Sequence, residues 1–426
     1  MRLTKIIATL GPATASEDVL RGAIIAGMDV ARLNFSHGTY EDHLAVLERV
    51  RRVSAEEKRN VAILQDLCGP KIRLGKVRGG SVELNEGAKV RIVREDVESD
   101  AHTLSTTYPA MVNDVNVGKS ILINDGLIEL RVVGKETGAL DCEVVAGGPV
   151  SSHKGINLPG VKISSPTLTA KDREDLEWGI ERNVDYVALS FVRHPDDVRE
   201  LKEIIKSRGS DIAVISKIEK PEALEHIEEI AKESDAVMVA RGDLGVEMRV
   251  EEVPHIQKTI IGLCESLNRP VIVATQMLES MIQNSTPTRA EVSDVANAII
   301  DGADALMLSG ETSVGKYPLR AITTMAHVAR RTEQTMKTTA ALDRRLHLAA
   351  SEEFGDVISA SVAQLAHRLP LRLVVGFTAS GRTARLLSGR RLPIPILGAS
   401  NSARVLKKMC LYRGVKPVAI EIFEQS

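Results

Sequence analysis

The sequence predicts an α/β protein built on a TIM (β/α)8 barrel, with an inserted small β-barrel cap domain and a C-terminal α/β domain. Three observations lead to this architecture. Short apolar runs alternate with amphipathic helical patterns in two blocks, which together contain about eight strand–helix units. Between the blocks the apolar residues change to a period of two, and after them the strand–helix alternation starts again. A doubly wound open sheet is the alternative, because strand counting does not reveal strand order.

The first block, residues 1–70, supplies three of the predicted barrel strands. Ser16, followed by Glu17 and Asp18, is typical of a helix start, since serine can cap a free amide and acids suit the helix dipole. A second helix is predicted from about residue 40 to 53. The three strands are predicted at residues 6–10, 29–33 and 61–64.

The second block, residues 166–336, completes the predicted barrel, so the two blocks form one catalytic domain. It opens with a helix at 168–181, and a helical pattern follows each later strand. Such crossovers are what parallel strands require. The five further strands are predicted at residues 186–190, 212–216, 235–239, 271–274 and 305–308.

Residues 71–165 form the predicted cap, because their alternating pattern favours antiparallel strands separated by turns such as Asn124-Asp125-Gly126. Residues 337–426 form the predicted C-terminal domain, which begins with a polar helix or linker at 338–348. The cap strands are predicted at residues 81–84, 89–92, 120–123, 128–133 and 141–145. The C-terminal elements are predicted as a helix at 357–368 and strands at 372–376, 393–397 and 417–420.

Composition narrows the function classes. Lys plus Arg total 55 and Asp plus Glu total 57, so the net charge of −2 gives no reason to expect nucleic-acid or membrane binding. Aromatic residues are only 3%, which disfavours stacking on single-stranded nucleic acid. The four cysteines lie far apart and the N-terminus lacks an apolar signal region, so we expect a cytoplasmic protein with reduced cysteines.

The most informative segment is residues 216–247, because it places charged residues where two neighbouring strands end. Lys217 and Glu219 follow one predicted strand, and Asp243 follows the next. The carboxyl ends of adjacent parallel strands lie side by side, so the three side chains are expected to meet. Two carboxylates suit a hard divalent ion such as Mg²⁺ or Mn²⁺, and an ammonium beside them suits an anionic substrate. Surface ion pairs with neighbouring basic residues are the alternative.

Polar residues close most of the other predicted strands as well. One such residue is usually a helix cap, but repetition around one barrel favours an active site at this end. Gly242 would let the backbone approach a ligand closely, although a simple strand-to-helix turn would use glycine too. The other residues in this position are Arg32, Asn34, Phe35, Ser36, His37, Asp66, Thr275, Ser309 and Glu311.

Two segments raise the question of phosphate binding elsewhere. Residues 310–317 nearly match a P-loop, but Tyr317 stands where a Mg²⁺-binding hydroxyl is needed, so we reject that interpretation. Residues 378–383 combine hydroxyls, a glycine and an arginine at a predicted helix start, which suits a phosphate. A capped helix with a surface arginine explains them equally well. The candidate residues are Thr378, Ser380, Gly381, Arg382 and Thr383.

Several long segments resemble the pyruvate kinase family, and the likeness runs from Thr4 to the last residues. The resemblance implies transfer of a phosphoryl group from phosphoenolpyruvate to ADP, giving pyruvate and ATP, with Mg²⁺ or Mn²⁺ as cofactor. It also implies a homotetramer and a phosphorylated allosteric effector. The segments are residues 32–38 (RLNFSHG), 215–219 (ISKIE), 238–247 (MVARGDLGVE), 274–281 (ATQMLESM) and 288–297 (TRAEVSDVAN).

The resemblance also implies a role for individual residues. Arg32 would hold the phosphoryl group, Lys217 would stabilise it during transfer, and Glu219 and Asp243 would bind the metal. The residues implied for the pyruvate carboxylate are Ala240, Arg241, Gly242, Asp243 and Thr275. Those implied for protonation of the enolate are Thr275, Ser309 and Glu311. The nucleotide contacts implied are Asn34, Phe35, Ser36, His37, Arg73, Asp125 and Lys154, the last two on a cap that closes and excludes water.

One departure from the family concerns potassium. Potassium-dependent members carry glutamate where Lys71 stands, and an ammonium can take the place of a monovalent cation. We therefore expect Lys71 to fill a pocket beside Asn34, Ser36 and Asp66, so that K⁺ is not required.

Two rival functions are weighed against this one. A Mg²⁺-dependent lyase or aldolase acting on a 2-oxo acid shares the barrel and the metal, but it needs neither the cap nor Arg73 and Lys154. A catalytically silent metabolite sensor would tolerate loss of Lys217, Glu219 or Asp243, and all three are present.

Overall fold

The computed structural model describes residues 1–336 and 353–421, and it begins with three parallel strands. Ser16 caps helix α1 (Glu17–Ala26) by accepting a hydrogen bond from the Val19 amide. Helix α2 (Tyr40–Glu56) opens with a capping box. Helix α1 begins where it was predicted, and the three strands and α2 lie within three residues of their predicted bounds. The strands are β1 (Lys5–Thr9), β2 (Val30–Asn34) and β3 (Ala62–Asp66).

The inserted segment forms two sheets around its own hydrophobic core. They are a six-stranded sheet and a separate two-stranded ladder, where one small barrel was expected. One pair in the larger sheet is parallel, whereas antiparallel strands were expected. The alternation of apolar residues shows which face of a strand is buried, and it does not show the direction of the partner strand. The elements are β4 (Ser81–Leu84), β5 (Lys89–Val93), β6 (Thr103–Ser105), α3 (Met111–Asp114), β7 (Ser120–Ile123), β8 (Ile128–Glu136), β9 (Ala139–Ala146), β10 (Gly148–Ser151) and β11 (Ile156–Asn157). The strand order is β11-β7-β8-β9-β5-β6, with β4 paired to β10.

The strand–helix alternation then resumes. Lys217 lies within its strand, because that strand extends two residues beyond the predicted end. The strands are β12 (Tyr186–Leu189), β13 (Ala213–Ile218), β14 (Ala236–Ala240), β15 (Val271–Ala274) and β16 (Ala305–Leu308). The helices are α4 (Ala170–Glu181), α5 (Pro195–Ser207), α6 (Glu222–Glu225), α7 (Ile227–Glu233), α8 (Arg241–Glu247), α9 (Val253–Ser266), α10 (Arg289–Asp301), α11 (Gly310–Ser313) and α12 (Pro318–Met336).

Eight parallel strands from the two blocks close into a barrel in the order β1-β16-β15-β14-β13-β12-β3-β2. This closure confirms the TIM barrel and rules out the doubly wound open sheet. Every strand is buried on both sides, which explains why the strands read as continuous apolar runs. Among the described helices, none has the length and apolar character needed to cross a membrane.

An aspartate stands one residue before four of the barrel strands, at the amino end of the barrel. Each carboxylate accepts a hydrogen bond from a main-chain amide of the neighbouring strand at 2.7–2.9 Å. These bonds satisfy amides that would otherwise be left without a partner at the strand ends. The pairs are Asp29 with Ile6, Asp185 with Ile63, Asp235 with Val214, and Asp304 with Val271.

The C-terminal sheet docks against this amino end. Cys410 and Leu411 pack into the core inside the barrel, and Lys5 donates to the Val415 carbonyl at 2.6 Å. All four cysteines are free, in line with the expectation of reduced thiols. The predicted segment 338–348 lies outside the described residues. The C-terminal elements are α13 (Phe354–Arg368), β17 (Val374–Phe377), α14 (Arg382–Gly389), β18 (Ile396–Ser400), α15 (Ala403–Lys408) and β19 (Val415–Ala419).

Candidate active site

Lys217 projects from β13 into the carboxyl end of the barrel and contacts three side-chain oxygens. Its ammonium donates to the Ser190 hydroxyl at 2.7 Å and lies 3.0 Å from Glu219 and 3.3 Å from Asp66. Burial alone would lower the pKa of Lys217, but Asp66 and Glu219 outweigh burial and raise that pKa above its ordinary value. Lys217 is therefore a charged ammonium in a largely buried position.

Asp66 ends β3 and holds two cations at once. One oxygen accepts a hydrogen bond from Arg32 Nε at 2.6 Å, and the other faces Lys217. Arg32 also donates to the Thr9 hydroxyl at 2.9 Å. Burial would raise the pKa of Asp66, yet Lys217 and Arg32 bring it below its ordinary value. The ionised, buried carboxylate therefore fixes both cations in place.

Glu219 and Asp243 are the two acids that border the cavity at the barrel mouth. Glu219 accepts a hydrogen bond from the Phe191 amide at 2.7 Å, and Asp243 lies 3.5 Å from the Lys71 ammonium. Burial is the largest cause of the raised pKa of Glu219, which Lys217 opposes and Asp243 reinforces. The two carboxylates are thus close enough to repel each other.

This pair of acids fits a hard divalent ion. Within residues 1–336 and 353–421, no three His, Cys, Asp or Glu side chains form a complete protein cage for a metal. Two carboxylates beside an open cavity leave coordination positions for substrate oxygens and water, as Mg²⁺ prefers. Glu219 and Asp243 are therefore the side chains that could hold such an ion.

The turn after β15 is strained and is held by the neighbouring helix. Thr275 has φ = 70° and Gln276 has φ = 54°, a left-handed conformation that costs a β-branched residue on the order of 1–3 kcal/mol. The Gly242 amide donates to the Thr275 hydroxyl at 2.8 Å, and Arg241 donates to the Thr275 carbonyl at 2.9 Å. Asp294 binds the Arg241 guanidinium through both oxygens, at 2.8 and 2.7 Å. The Arg241 side chain is therefore engaged away from the cavity.

Ser309 borders the cavity, whereas Glu311 lies behind it. Glu311 is fully buried and accepts hydrogen bonds from the Ser309 amide at 2.7 Å and the Leu278 amide at 3.0 Å. It ties together the loops that follow β15 and β16. Its contact with the site is through the backbone of Ser309.

The predicted residues meet in one cavity of about 120 Å³. Burial, and then Arg73 and Lys71, lower the pKa of His37, so two cations lie close to this ring on the side of the cap. Such a wall suits phosphate groups. The predicted residues in the wall are Arg32, Asn34, Ser36, His37, Lys71, Arg73, Lys217, Glu219, Ala240, Asp243, Thr275 and Ser309.

Three residues predicted to contact a nucleotide do not border this cavity. Phe35 is 3% exposed and its ring stacks on His43 with the centroids 4.1 Å apart, so the ring belongs to the core. Lys154 is exposed on the cap. Asp125, at a turn with φ = 56°, borders the adjoining cleft beside α8.

The cap is anchored to the barrel by buried polar contacts. Asn157 of the cap donates to Glu247 at 2.9 Å, and Lys220 binds the same carboxylate oxygen at 2.6 Å. Arg193 donates to the carbonyls of Ile163 and Ser165, both at 2.8 Å, where the chain returns to the barrel. These bonds hold the part of the cap that joins the barrel next to the cavity.

The C-terminal phosphate candidate forms a closed turn. The Thr378 hydroxyl accepts a hydrogen bond from the Gly381 amide at 2.9 Å, and Gly381 has φ = 86°. Arg382 pairs with Glu353 at the protein surface. Ser380 and Thr383 are exposed.

Two site residues were missed by the sequence analysis. Ser190 follows β12 and borders the cavity in contact with Lys217, and Thr9 ends β1 and binds Arg32. Both are polar residues at the carboxyl end of a barrel strand. The criterion applied to the other six strands would have found them.

The fold and the site define a class of protein: a TIM-barrel enzyme that acts on an anionic substrate at the carboxyl ends of its strands. Residues 1–322 match the family model described as the pyruvate kinase barrel domain, and residues 356–426 match the pyruvate kinase alpha/beta domain. The chain belongs to the pyruvate kinase family. It is a phosphotransferase that acts on phosphoenolpyruvate and ADP to give pyruvate and ATP, in a family that generally needs a divalent metal.

Individual relatives agree with this assignment. A pyruvate kinase of Mycobacterium tuberculosis is 47% identical over 415 residues, covering 97% of this chain and 87% of the relative. One from Geobacillus stearothermophilus is 45% identical, covering 97% and 71%. A crystal structure of a pyruvate kinase from Cryptosporidium parvum matches with a TM-score of 0.93 and 36% identity, covering 98% and 87%. The lyase or aldolase alternative finds no support among these matches, and an enzyme is favoured over a silent sensor.

Proposed function

We propose that Arg32 and Lys217 bind the phosphoryl group of phosphoenolpyruvate during its transfer to ADP. The observation that carries this proposal is the Lys217 cluster, in which the ammonium lies 3.0 Å from Glu219 and 3.3 Å from Asp66, the carboxylate that also holds Arg32. In the transfer, the bond between phosphorus and the enol oxygen breaks and a bond to an ADP phosphate oxygen forms. Cations held rigidly at this point stabilise the charge as it moves.

Glu219 and Asp243 are proposed to hold Mg²⁺ or Mn²⁺. A bound divalent ion would polarise the phosphoryl and enolate oxygens. The two acids face the cavity that Lys217 and Arg32 also line, which supports a shared substrate. Repulsion between the acids is the cost that a cation would relieve.

The product of the transfer must gain a proton at carbon, and we assign this step to the Thr275 side of the cavity. The Thr275 hydroxyl and Ser309 border the space where water would deliver the proton. Glu311 would act as a positioning residue, because it holds the Ser309 amide. The substrate carboxylate would lie against Thr275 and the main chain of residues 240–243. Arg241 would contribute only its backbone there.

The nucleotide is proposed to bind between the cap and the turn after β2. Arg73 and His37 line the cavity, and Asn34 and Ser36 lie beside them. Lys154 and Asp125 would join only on further closure of the cap, since neither borders the cavity. Phe35 would contribute through its backbone neighbours and not through its ring.

Independence from K⁺ is proposed on the basis of Lys71. Its ammonium lines the same cavity as Asn34 and Ser36, while its ion pair is with Asp243 and not with the buried Asp66. The Lys71 ammonium therefore lies at the mouth of the barrel, beside the proposed metal ligand Asp243. Equal turnover in K⁺ and in tetramethylammonium would support this role, and strong activation by K⁺ would contradict it.

We also propose a division into a catalytic domain (residues 1–70 and 166–336), a cap (71–165) and a C-terminal domain (337–426), in a cytoplasmic homotetramer. The two blocks of barrel strands on either side of the insert support the division. A phosphorylated effector is proposed at the Thr378–Thr383 turn, where the hydroxyls of Ser380 and Thr383 are exposed beside Arg382. The variant Arg382→Ala is expected to lose the response of its activity to sugar phosphates and nucleotides.

A coupled assay for pyruvate formed from phosphoenolpyruvate and ADP tests the function. Turnover that requires both substrates and a divalent ion is expected. Cleavage of a 2-oxo acid without any phosphoryl transfer would contradict the proposal.

A further inference from the structure

Two histidines meet in the chain segments that follow β12 and β13, and neither borders the catalytic cavity. His194 stands directly before α5, and His226 lies between α6 and α7. Their ring centroids are 4.8 Å apart, and the ring planes are inclined by 50°. His194 is exposed and His226 is half-buried, so a solute can reach the pair.

The main chain on which the two rings stand is held by hydrogen bonds. The Asp197 carboxylate accepts hydrogen bonds from the Arg193 and His194 amides, both at 2.9 Å. The His226 carbonyl accepts a hydrogen bond from the Ile230 amide at 2.9 Å. Helices α5 and α7 also pack against each other. Because the backbone positions are fixed, the two imidazoles lose little freedom when they bind a common ligand.

The separation of the rings fits two ligands on one metal ion. A ring nitrogen lies about 2.0–2.1 Å from Zn²⁺, and a tetrahedral angle between two such bonds places the imidazole centroids about 5 Å apart. Imidazole nitrogens suit ions such as Zn²⁺, whereas Mg²⁺ prefers oxygen ligands. Acids in the first turns of the two helices add negative charge nearby, namely Asp196, Asp197, Glu228 and Glu229.

We propose that His194 and His226 form a regulatory site for a transition-metal ion of the Zn²⁺ class. Within the described ranges, no third His, Cys, Asp or Glu side chain joins them in a metal-binding group, so water would complete the coordination shell. A structural zinc site takes four protein ligands. A site with two protein ligands is weaker, so its occupancy would follow the supply of free metal.

A metal ion here would join two loops at the carboxyl end of the barrel. His194 follows Arg193, which donates to main-chain carbonyls where the cap returns to the barrel. His226 lies on the segment that follows β13 and Glu219. An ion between the loops would restrain the cap. This consequence rests on the proposed function, in which the cap closes over the substrates, and it predicts that turnover falls when the ion binds.

The test is equilibrium binding of Zn²⁺ to the full chain in saturating Mg²⁺, measured by competition with a chromophoric chelator. The variants His194→Asn and His226→Asn are compared with the parent chain, which allows for any Zn²⁺ bound at the barrel mouth. Each variant should bind one equivalent less, or bind that equivalent at least about tenfold more weakly, because it lacks one of two protein ligands. His255→Asn is the matched control, since His255 is an exposed histidine on α9, and it should bind Zn²⁺ as the parent does.

Circular dichroism shows whether the variants are folded, and if one does not fold, the other decides. A folded variant at either histidine that keeps the full Zn²⁺ stoichiometry and affinity overturns the site. This result does not depend on turnover, so it would stand even if the proposed function failed.

The same four proteins test the restraint of the cap. Their turnover should be equal without Zn²⁺. Added Zn²⁺, with Mg²⁺ saturating, should lower the turnover of the parent chain and of His255→Asn and leave the other two variants unaffected. A loss of turnover that is equal in all four proteins, or absent from the parent chain, overturns the restraint.

Discussion

The two ends of the barrel both contain buried aspartates next to cations, but they differ in what those carboxylates bind. At the amino end, the Asp304 carboxylate accepts a hydrogen bond from the Val271 amide. It also accepts two from the Arg391 guanidinium, at 2.6 and 3.0 Å. At the carboxyl end, the Asp66 carboxylate binds the side chains of Arg32 and Lys217. The amino end is sealed by the C-terminal domain, and the carboxyl end opens to a cavity. Carboxylates tied to the backbone stabilise the barrel, whereas the carboxylate at the mouth holds two cations in place beside the cavity, where we propose that they serve the reaction.

The largest expected effect comes from replacing the same residue type at the two ends. Lys217→Met should lower kcat by at least about 10³-fold, because its charge acts mainly in the transition state, while phosphoenolpyruvate binding changes little. Lys5→Met is the matched control, since Lys5 is also buried and faces Asp29. It should lower the thermal midpoint and leave kcat almost unchanged. Steady-state kinetics and thermal unfolding measure both. Equal losses of kcat in the two folded variants would remove the distinction.

Breaking the ion pair at the amino end should cost stability and little activity. Asp304→Ala leaves Arg391 buried without its main partner, which costs about 3–5 kcal/mol of unfolding free energy. Asp196→Ala removes an exposed pair with Arg199 and should cost less than about 1 kcal/mol. Urea titrations followed by circular dichroism compare them. A loss of less than about 1 kcal/mol for Asp304→Ala would mean that the amino-end pair is not stabilising.

The contribution of Asp185, at the amino end of the barrel, can be tested through the pH dependence of the unfolding free energy. Burial raises the pKa of Asp185 to about 6 from an ordinary value of 3.8, so the folded chain binds this proton more tightly than the unfolded chain. The stabilising contribution of Asp185 is therefore full below pH 3.8 and is lost as the pH rises through about 6. Asp185→Asn keeps an acceptor for the Ile63 amide and should be more stable by up to about 3 kcal/mol at pH 7, and by roughly half of that at pH 5. Urea titrations at both pH values check this, and an advantage independent of pH would contradict it.

Asp294 provides a test at the carboxyl end of the barrel, although its side chain does not border the cavity that contains Lys217. Asp294→Asn weakens the clamp on Arg241 and lets the strained Thr275 turn relax, so kcat should fall by roughly tenfold to a hundredfold. Exchange of solvent hydrogen into pyruvate should fall in parallel, since the proposed proton transfer takes place beside Thr275. Asp294→Glu should restore part of both activities. A rise in KM alone would indicate a merely structural role.

The barrel was predictable because its strands are short, apolar and separated by helices. The charged residues at strand ends could be assigned to one site for the same reason, since closure of the barrel brings all strand ends together. Thr9 and Ser190 follow the same rule and were overlooked. The rule fails for Glu311, because the chain turns sharply after Ser309 and buries that side chain behind the cavity.

Features that depend on tertiary contacts were not accessible from sequence. Thr275 would not be expected at φ = 70° from the sequence, because this conformation is held by tertiary contacts with Arg241 and Gly242. The pairing of Lys71 with Asp243 depends on how the cap is placed over the barrel. The parallel pairing of β5 with β6 likewise could not be predicted from the alternation of apolar residues.

The most direct test of the account is Mn²⁺ binding, measured by electron paramagnetic resonance. Glu219→Gln and Asp243→Asn should each weaken Mn²⁺ affinity by about tenfold or more, because each removes one of the two proposed carboxylate ligands. Asp235→Asn, at the amino end, should leave the affinity unchanged. Full Mn²⁺ affinity in either variant at the mouth would contradict the claim that these two acids share one ion.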